Sequence, residues 1–139
     1  MSSWLLDTGP IVAYLDAADP QHEPVAERID EFSGLFVTTS AVITEAMYFV
    51  SGTAGGPTLL AEFVAASGAR VYDLAQSVEL RAAAQLMERY ADTPMDYADA
   101  TLVLLAEALA VAEILTLDRR GFSTYRTTSR KGFRLVMSA

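Results

Sequence analysis

The chain contains no cysteine, one histidine and one tryptophan. Without thiols there are no disulfides and no thiolate metal sites, which agrees with a reducing compartment without requiring one. His22 sits in the loop-like stretch DPQHEP and reads as a surface residue, so paired-histidine catalysis has nothing to draw on. Long apolar runs are also missing. Although 52% of the 139 residues are hydrophobic and the mean hydropathy is +0.25, acidic residues recur before about 18 apolar positions accumulate. No membrane association is therefore expected. The start, MSSWLLDTGP, has no basic region and meets Asp7 early, so it does not read as a signal peptide and the expected location is the cytoplasm. No linker, repeat or low-complexity stretch intervenes, and residues 1–139 are expected to form a single domain burying roughly two-thirds of the surface of the unfolded chain.

Basic residues are scarce: 10 against 18 acidic, for a net charge of −8. The scarcity is uneven. Residues 118–139 hold Arg119, Arg120, Arg126, Arg130, Lys131 and Arg134 against Asp118 alone, whereas residues 1–117 hold 4 basic residues against 17 acidic ones. An acidic body with a basic end leaves room for a phosphate contact, and equally for a solvated basic C-terminal hairpin.

What is present is an alternation of strands and helices. SWLLD is a short strand, stopped by Gly9 and Pro10, and Pro10 suits the first turn of the helix PIVAYLDAAD. Pro20 closes that helix, and EPVAERIDEF (23–32) is amphipathic through Val25, Ile29 and Phe32. LFVTT is the second strand, Ser40 a candidate N-cap, and AVITEAMYFVS a helix before the loop GTAGGP. A helix over 57–67 ends at Gly68, and RVYDL is the third strand. Helices over about 76–91 and 96–111, the strand EILTLD, a turn at RRGF and a last strand in FRLVMS complete the reading. Such alternation implies an α/β fold with a parallel sheet covered on both faces, whose site lies outside the carboxyl ends of the strands.

That rule singles out acidic residues. Asp7 ends the first strand, Asp118 follows EILTL, Asp99 opens a helix, and Glu45 lies about one turn into the helix after the second strand. Each has an ordinary structural reading: Asp7 as a cap or turn residue, Asp118 as a turn start, and Asp96 as the N-cap of its helix with Asp99 as a favourable third-position acid. Glu45 is the hardest to explain this way, because AVITEAMYFV is apolar on nearly every side and a lone buried carboxylate is costly. Carboxylates gathered on one rim repel one another, and a divalent cation with oxygen preference, Mg²⁺ or Mn²⁺, is the common remedy.

The segments LLDTGPIVAYLD, VTTSAVITEAMY, MDYADATLVLLAEAL and EILTLDRRGF, in this order and spacing, resemble the motifs of PIN-domain ribonucleases of the VapC toxin type. The resemblance covers residues 4 to about 124. It implies a three-layer α/β/α sandwich on a mainly parallel sheet and a metal-dependent endoribonuclease that cuts selected RNA, tRNA or rRNA, as the toxin of a toxin-antitoxin pair. By that likeness Asp7, Glu45, Asp99 and Asp118 are the catalytic acidic ligands of Mg²⁺ or Mn²⁺, Asp96 is an auxiliary ligand or a helix cap, and Thr8 and Thr116 are hydroxyls that contact ligands or substrate. Arg119 and Arg120 are candidate phosphate contacts. It further implies a small antitoxin, one of whose arginines could enter the carboxylate cluster, and a homodimer is a further expectation. AMYFV and LVLLAEALAV hold more apolar residues than one helix face buries, which fits a partner surface or a two-sided core helix equally. Two other readings stay open. One is a PIN-like scaffold that binds a partner without catalysis. The other is a receiver-type phosphoacceptor domain, although Asp7 stands alone where that class pairs its acids.

Overall fold

The computed structural model describes residues 1–137. Among them are five strands and seven helices: β1 Ser3–Leu6, α1 Thr8–Leu15, α2 His22–Glu31, β2 Leu35–Thr39, α3 Ser40–Val50, α4 Gly56–Ser67, β3 Arg70–Tyr72, α5 Ser77–Arg89, α6 Tyr97–Leu109, β4 Glu113–Leu115, α7 Arg119–Thr124 and β5 Arg134–Leu135. The strands form one sheet in the order β3-β2-β1-β4-β5, with every pairing parallel. From β1 the chain first moves outward through β2 to β3, then returns to the other side of β1 as β4. Right-handed crossovers therefore put α1 to α4 on one face and α5 to α7 on the other, giving three layers. The reversal of order falls between β1 and β4, and parallel sheets open a crevice there, at the carboxyl ends of the two strands.

Both faces being covered, the central strands read as continuous apolar runs. Leu5, Leu6, Ile114 and Leu115 are fully buried, with Val37 beside them in β2. Helix α6 closes the second layer from within the core: Ala98, Ala100, Leu102, Val103, Leu105 and Ala106 are buried all round. LVLLAEALAV is thus a two-sided core helix. The other apolar segment behaves differently, since Tyr48 and Phe49 of α3 remain exposed.

Several local expectations need correction. Helix α3 is capped by Thr39, whose hydroxyl accepts the Val42 N–H, and not by Ser40, whose own hydroxyl donates to Asp73 across the strand ends. The first helix starts at Thr8, two residues before Pro10. RRGF is a helical turn within α7 because the Asp118 carboxylate caps it. With a helix between them, β4 and β5 run parallel, so the basic end is a crossover and not a hairpin. The last strand covers only Arg134–Leu135 of the expected FRLVMS, of which Ser138 lies outside the described residues. His22 opens α2 and is half-buried, its Nδ1–H donating to the Ala13 carbonyl at 2.8 Å.

The turn from α2 into β2 depends on Gly34. A Cβ there would lie 2.2 Å from the Ser2 carbonyl oxygen and 2.4 Å from the Phe32 ring, and the Ser2 oxygen is fixed by its bond from the Leu35 N–H at 2.9 Å. Gly34→Ala is expected to cost about 3 kcal/mol. Differential scanning calorimetry should show a fall in Tm of roughly 10 °C, and an unchanged Tm would mean the turn relaxes freely.

Candidate functional site

The crevice between β1 and β4 is an open cleft of about 510 Å³. Six carboxylates line it: Asp7, Asp19, Glu45, Asp96, Asp99 and Asp118, with Thr8, Gly9, Val12, Phe49 and Leu117. No basic side chain is among them. Four elements supply the acids expected from the sequence: Asp7 leaves β1, Glu45 projects from α3, Asp96 and Asp99 begin α6, and Asp118 follows β4.

Each is held by its backbone setting. Asp7 is the N-cap of α1; its Oδ1 accepts the Thr8 N–H at 2.8 Å, and its Oδ2 accepts the Thr116 hydroxyl at 2.6 Å. It is only 6% exposed. Burial pushes its carboxyl up to about 6, against the pull of those two hydrogen bonds, and the charges of Asp96 and Asp118 add to the rise. Thr116 is fully buried and also accepts the Asp118 N–H at 3.0 Å. Its hydroxyl thus ties two strand-end acids together and positions them, and it does not face solvent for a substrate. Asp118 in turn accepts the Gly121 N–H on Oδ1 at 3.0 Å, which fixes it at the rim.

Asp96 and Asp99 form a reciprocal capping box. Asp96 Oδ1 accepts the Asp99 N–H at 2.8 Å, and Asp99 Oδ2 accepts the Asp96 N–H at 3.2 Å. Asp96 is therefore the helix cap, and it lines the cleft as well. The cap brings Asp99 inward, and burial, then the charges of Asp7 and Asp96, raise its carboxyl to about 8. Glu45 is likewise raised, by burial first, then by Asp96 and Asp7, while the neighbouring Thr8 hydroxyl favours its ionised form. That hydroxyl nevertheless makes no well-formed hydrogen bond: Thr8 Oγ1 is buried without a partner.

Among the described residues no three of these side chains close into a ready-made metal cage. The fit to a divalent cation is instead one of chemistry. All donors are oxygens, no arginine or lysine neutralises them, three of the acids are raised toward the protonated form by desolvation and mutual repulsion, and one buried hydroxyl oxygen lacks a partner. A hard cation relieves all of these at once.

Of the remaining expected residues, Arg119 and Arg120 are exposed on the first turn of α7 and do not line the cleft. Asp19, Phe49 and Leu117 do line it and were not singled out from the sequence. Asp19 sits in AADPQ, where its carboxylate also accepts the Gln21 N–H and reads as an ordinary turn aspartate. Tyr125 is a further neighbour that sequence reasoning missed. Fully buried, with its hydroxyl donating to the Pro94 carbonyl at 2.6 Å, it is raised by burial and by the negative field of Asp99 and Asp118.

The all-parallel sheet covered on both faces, with acids from four elements at its switch point, agrees with the α/β/α fold and acidic rim that the resemblance to PIN-domain ribonucleases implies. The chain is similar in structure to the crystal structure of Mycobacterium tuberculosis VapC20, described as a sarcin-ricin loop cleaving toxin, with a TM-score of 0.75 over 85% of this chain and 91% of that one; at 18% identity this speaks for the fold. No protein-family model matches the chain. Over 134 residues it is 34% identical to Ribonuclease VapC26 of Mycobacterium tuberculosis strain H37Rv, covering 95% of this chain and 98% of that protein. The chain belongs to the VapC ribonuclease family.

Proposed function

We propose that the protein is a divalent-metal-dependent endoribonuclease, the toxin of a toxin-antitoxin pair, that hydrolyses phosphodiester bonds in selected RNA of the tRNA or rRNA type. The observation that carries this is the set of carboxylates around the β1–β4 crevice in a chain aligned nearly end to end with a ribonuclease. Asp7, Glu45, Asp99 and Asp118 would hold Mg²⁺ or Mn²⁺, with Asp96 as cap and auxiliary donor and Thr8 Oγ1 turned toward the same space. When bound, such an ion neutralises phosphoryl charge, lowers the pKa of a water and stabilises a leaving oxygen. The chain's own residues do the rest. Thr116 and the Thr8 N–H orient the Asp7 carboxylate. Asp118, pinned through Oδ1 by the Gly121 N–H, would present its carboxylate at the rim to orient the attacking water. Leu117, Val12 and Phe49 form an apolar margin to the cleft.

The reading includes partners. Exposed Tyr48 and Phe49, edge to face at 5.5 Å on α3, leave an apolar surface next to the cleft for a small antitoxin or a second copy. An antitoxin arginine reaching the unneutralised acids would be a direct inhibitor. No helix among the described residues is long and apolar enough to cross a membrane, and the expected place of action is the cytoplasm, where the RNA is.

Incubation of the purified protein with mixed tRNA and rRNA tests the proposal. Discrete cuts in Mg²⁺ or Mn²⁺, lost in EDTA, are expected. Folded, partner-free protein that makes no cuts with either ion would favour the non-catalytic scaffold instead.

A further inference from the structure

Charge in this protein is sorted by place. The acids crowd the cleft, and the one ion pair among the described residues joins Arg134 to Glu113 at 3.4 Å. Three other arginines, Arg89 at the end of α5 and Arg126 and Arg130 in the segment between α7 and β5, meet around a separate cavity of about 530 Å³. Tyr90, Thr127 and Thr128 complete its lining, and no carboxylate contributes. In a chain with 18 acidic and 10 basic residues, three guanidinium groups without an acidic partner around one hollow call for a ligand with negative charge.

The cavity is built and not loose. Arg126 donates through Nη1 to the carbonyls of Ser123 and Tyr125, which fixes the guanidinium and leaves Nε and Nη2 for a ligand. The glycine at 132 keeps space beside it, since a Cβ there would lie 3.2 Å from its Cζ. The turn carrying Arg130 is tied by Arg130 N–H to Thr127 O at 2.8 Å, by Lys131 N–H to the Thr127 hydroxyl and by the Ser129 N–H and Thr128 hydroxyl to Glu107. These ties hold Arg130 at φ 66°, a left-handed conformation that costs a non-glycine residue energy and that persists only where the surroundings over-determine it.

The cavity also lies close to the cleft. Tyr125 directly precedes Arg126, its ring packs edge to face on Tyr90 at 5.2 Å, and its hydroxyl holds the carbonyl of Pro94, two residues before Asp96. Tyr125 thus connects the side of an acidic cleft, which by itself repels phosphate, to a basic hollow with an aromatic wall.

We infer that Arg89, Arg126 and Arg130, with the Tyr90 ring, form a subsite that holds the phosphodiester backbone of an RNA strand flanking the one engaged in the cleft. Arginine suits this because its fork donates in pairs to phosphate oxygens, and the aromatic wall offers a face to an unstacked base. The inference rests on the ribonuclease reading, and its test separates the two.

The decisive variant is Arg130→Gly, which removes the cation while giving the turn the residue its backbone prefers, accompanied by the triple variant R89Q/R126Q/R130G. Binding of a fluorescein-labelled single-stranded RNA to the full chain is followed by anisotropy in EDTA, across about 50 to 200 mM salt. Arg130→Gly should leave Tm unchanged or higher, weaken binding about three- to tenfold and lower the salt slope by about 0.7; the triple variant should lower it by about 2. Wild-type binding with no change in Kd or slope in either variant overturns the subsite, and so does a wild-type protein that binds no RNA. Cleavage by the wild type, scored in parallel with Mg²⁺, tells the cases apart: cutting with unaffected variants sinks the subsite alone, whereas variant-sensitive binding without cutting upholds the subsite and sinks the nuclease reading. Poly-glutamate that displaces the RNA as well as inorganic pyrophosphate does at equal charge would assign the hollow to an acidic protein and overturn the RNA assignment.

Discussion

Asp99→Asn abolishes RNA cleavage, by at least about 10²-fold in initial rate, with the fold intact. The two halves of this expectation have different causes. Asparagine retains an oxygen that can accept the Asp96 N–H, as Asp99 Oδ2 does at 3.2 Å, and the Asp99 N–H keeps its bond to Asp96 Oδ1, so the capping box and the start of α6 survive. What disappears is an ionisable carboxyl whose charged form is already disfavoured by burial and by Asp7 and Asp96, and which a bound cation would hold ionised. Removing it relieves the metal-free protein and deprives a cation of a donor. Thr116→Val provides the scale, because it deletes only the hydroxyl that orients Asp7 and Asp118; a loss of roughly 10- to 100-fold is expected, largely restored by Thr116→Ser. Initial rates at saturating Mg²⁺ with circular dichroism beside them make the measurement. An Asp99→Asn protein that cuts RNA at near the parental rate would remove Asp99 from the site.

The two-residue facts of this fold were legible in the sequence, and the cross-chain ones were not. Asp96 and Asp99 lie three apart ahead of an apolar run, and a local rule for helix starts suffices to read them as a cap and its partner. Strand ends at Asp7 and Asp118 follow from apolar runs broken by glycine, proline and charge, and the parallel sheet follows from alternation. The hydrogen bond from Thr116 to Asp7 joins residues 109 apart, and only strand order makes them neighbours. Thr39, and not Ser40, caps α3 because the neighbouring strand end offers Ser40 another partner in Asp73, a tertiary circumstance that propensity does not encode. The arginines illustrate the same limit. Arg119 and Arg120 stand next to Asp118 in sequence and attracted the phosphate assignment, yet α7 carries them outside the cleft, while Arg89 joins Arg126 and Arg130 from a different helix. A count of charge along the chain located the basic end without locating its partner.

Without divalent ions, the protein loses stability as pH rises from about 4 to about 8, and Mg²⁺ or Mn²⁺ restores it only in the upper part of that range. The sign follows from Asp7. Its carboxyl titrates near 6 in the folded chain against 3.8 for an unperturbed aspartate, so the folded state binds the proton more tightly, and ionisation between these values favours unfolding. A difference of that size corresponds to about 3 kcal/mol, fully lost above pH 6. Asp99, raised to about 8, extends the decline upward, and Glu45 shifts in the same direction. A cation that binds the ionised cluster reverses the loss, by about 2.7 kcal/mol at a concentration 100-fold above its Kd. Below about pH 5 protons occupy the same oxygens and the ion's effect fades. Asp7→Asn separates the contributions: its amide can still accept the Thr8 N–H and donate to a rotated Thr116 hydroxyl, so in EDTA at pH 8 it should unfold at higher temperature than the parent and gain much less from added ion. Thermal unfolding at pH 5 and pH 8, with EDTA or with Mn²⁺, measures all of this. Equal Tm values with and without the ion at pH 8 would mean that the six acids stand together for a reason other than holding a cation.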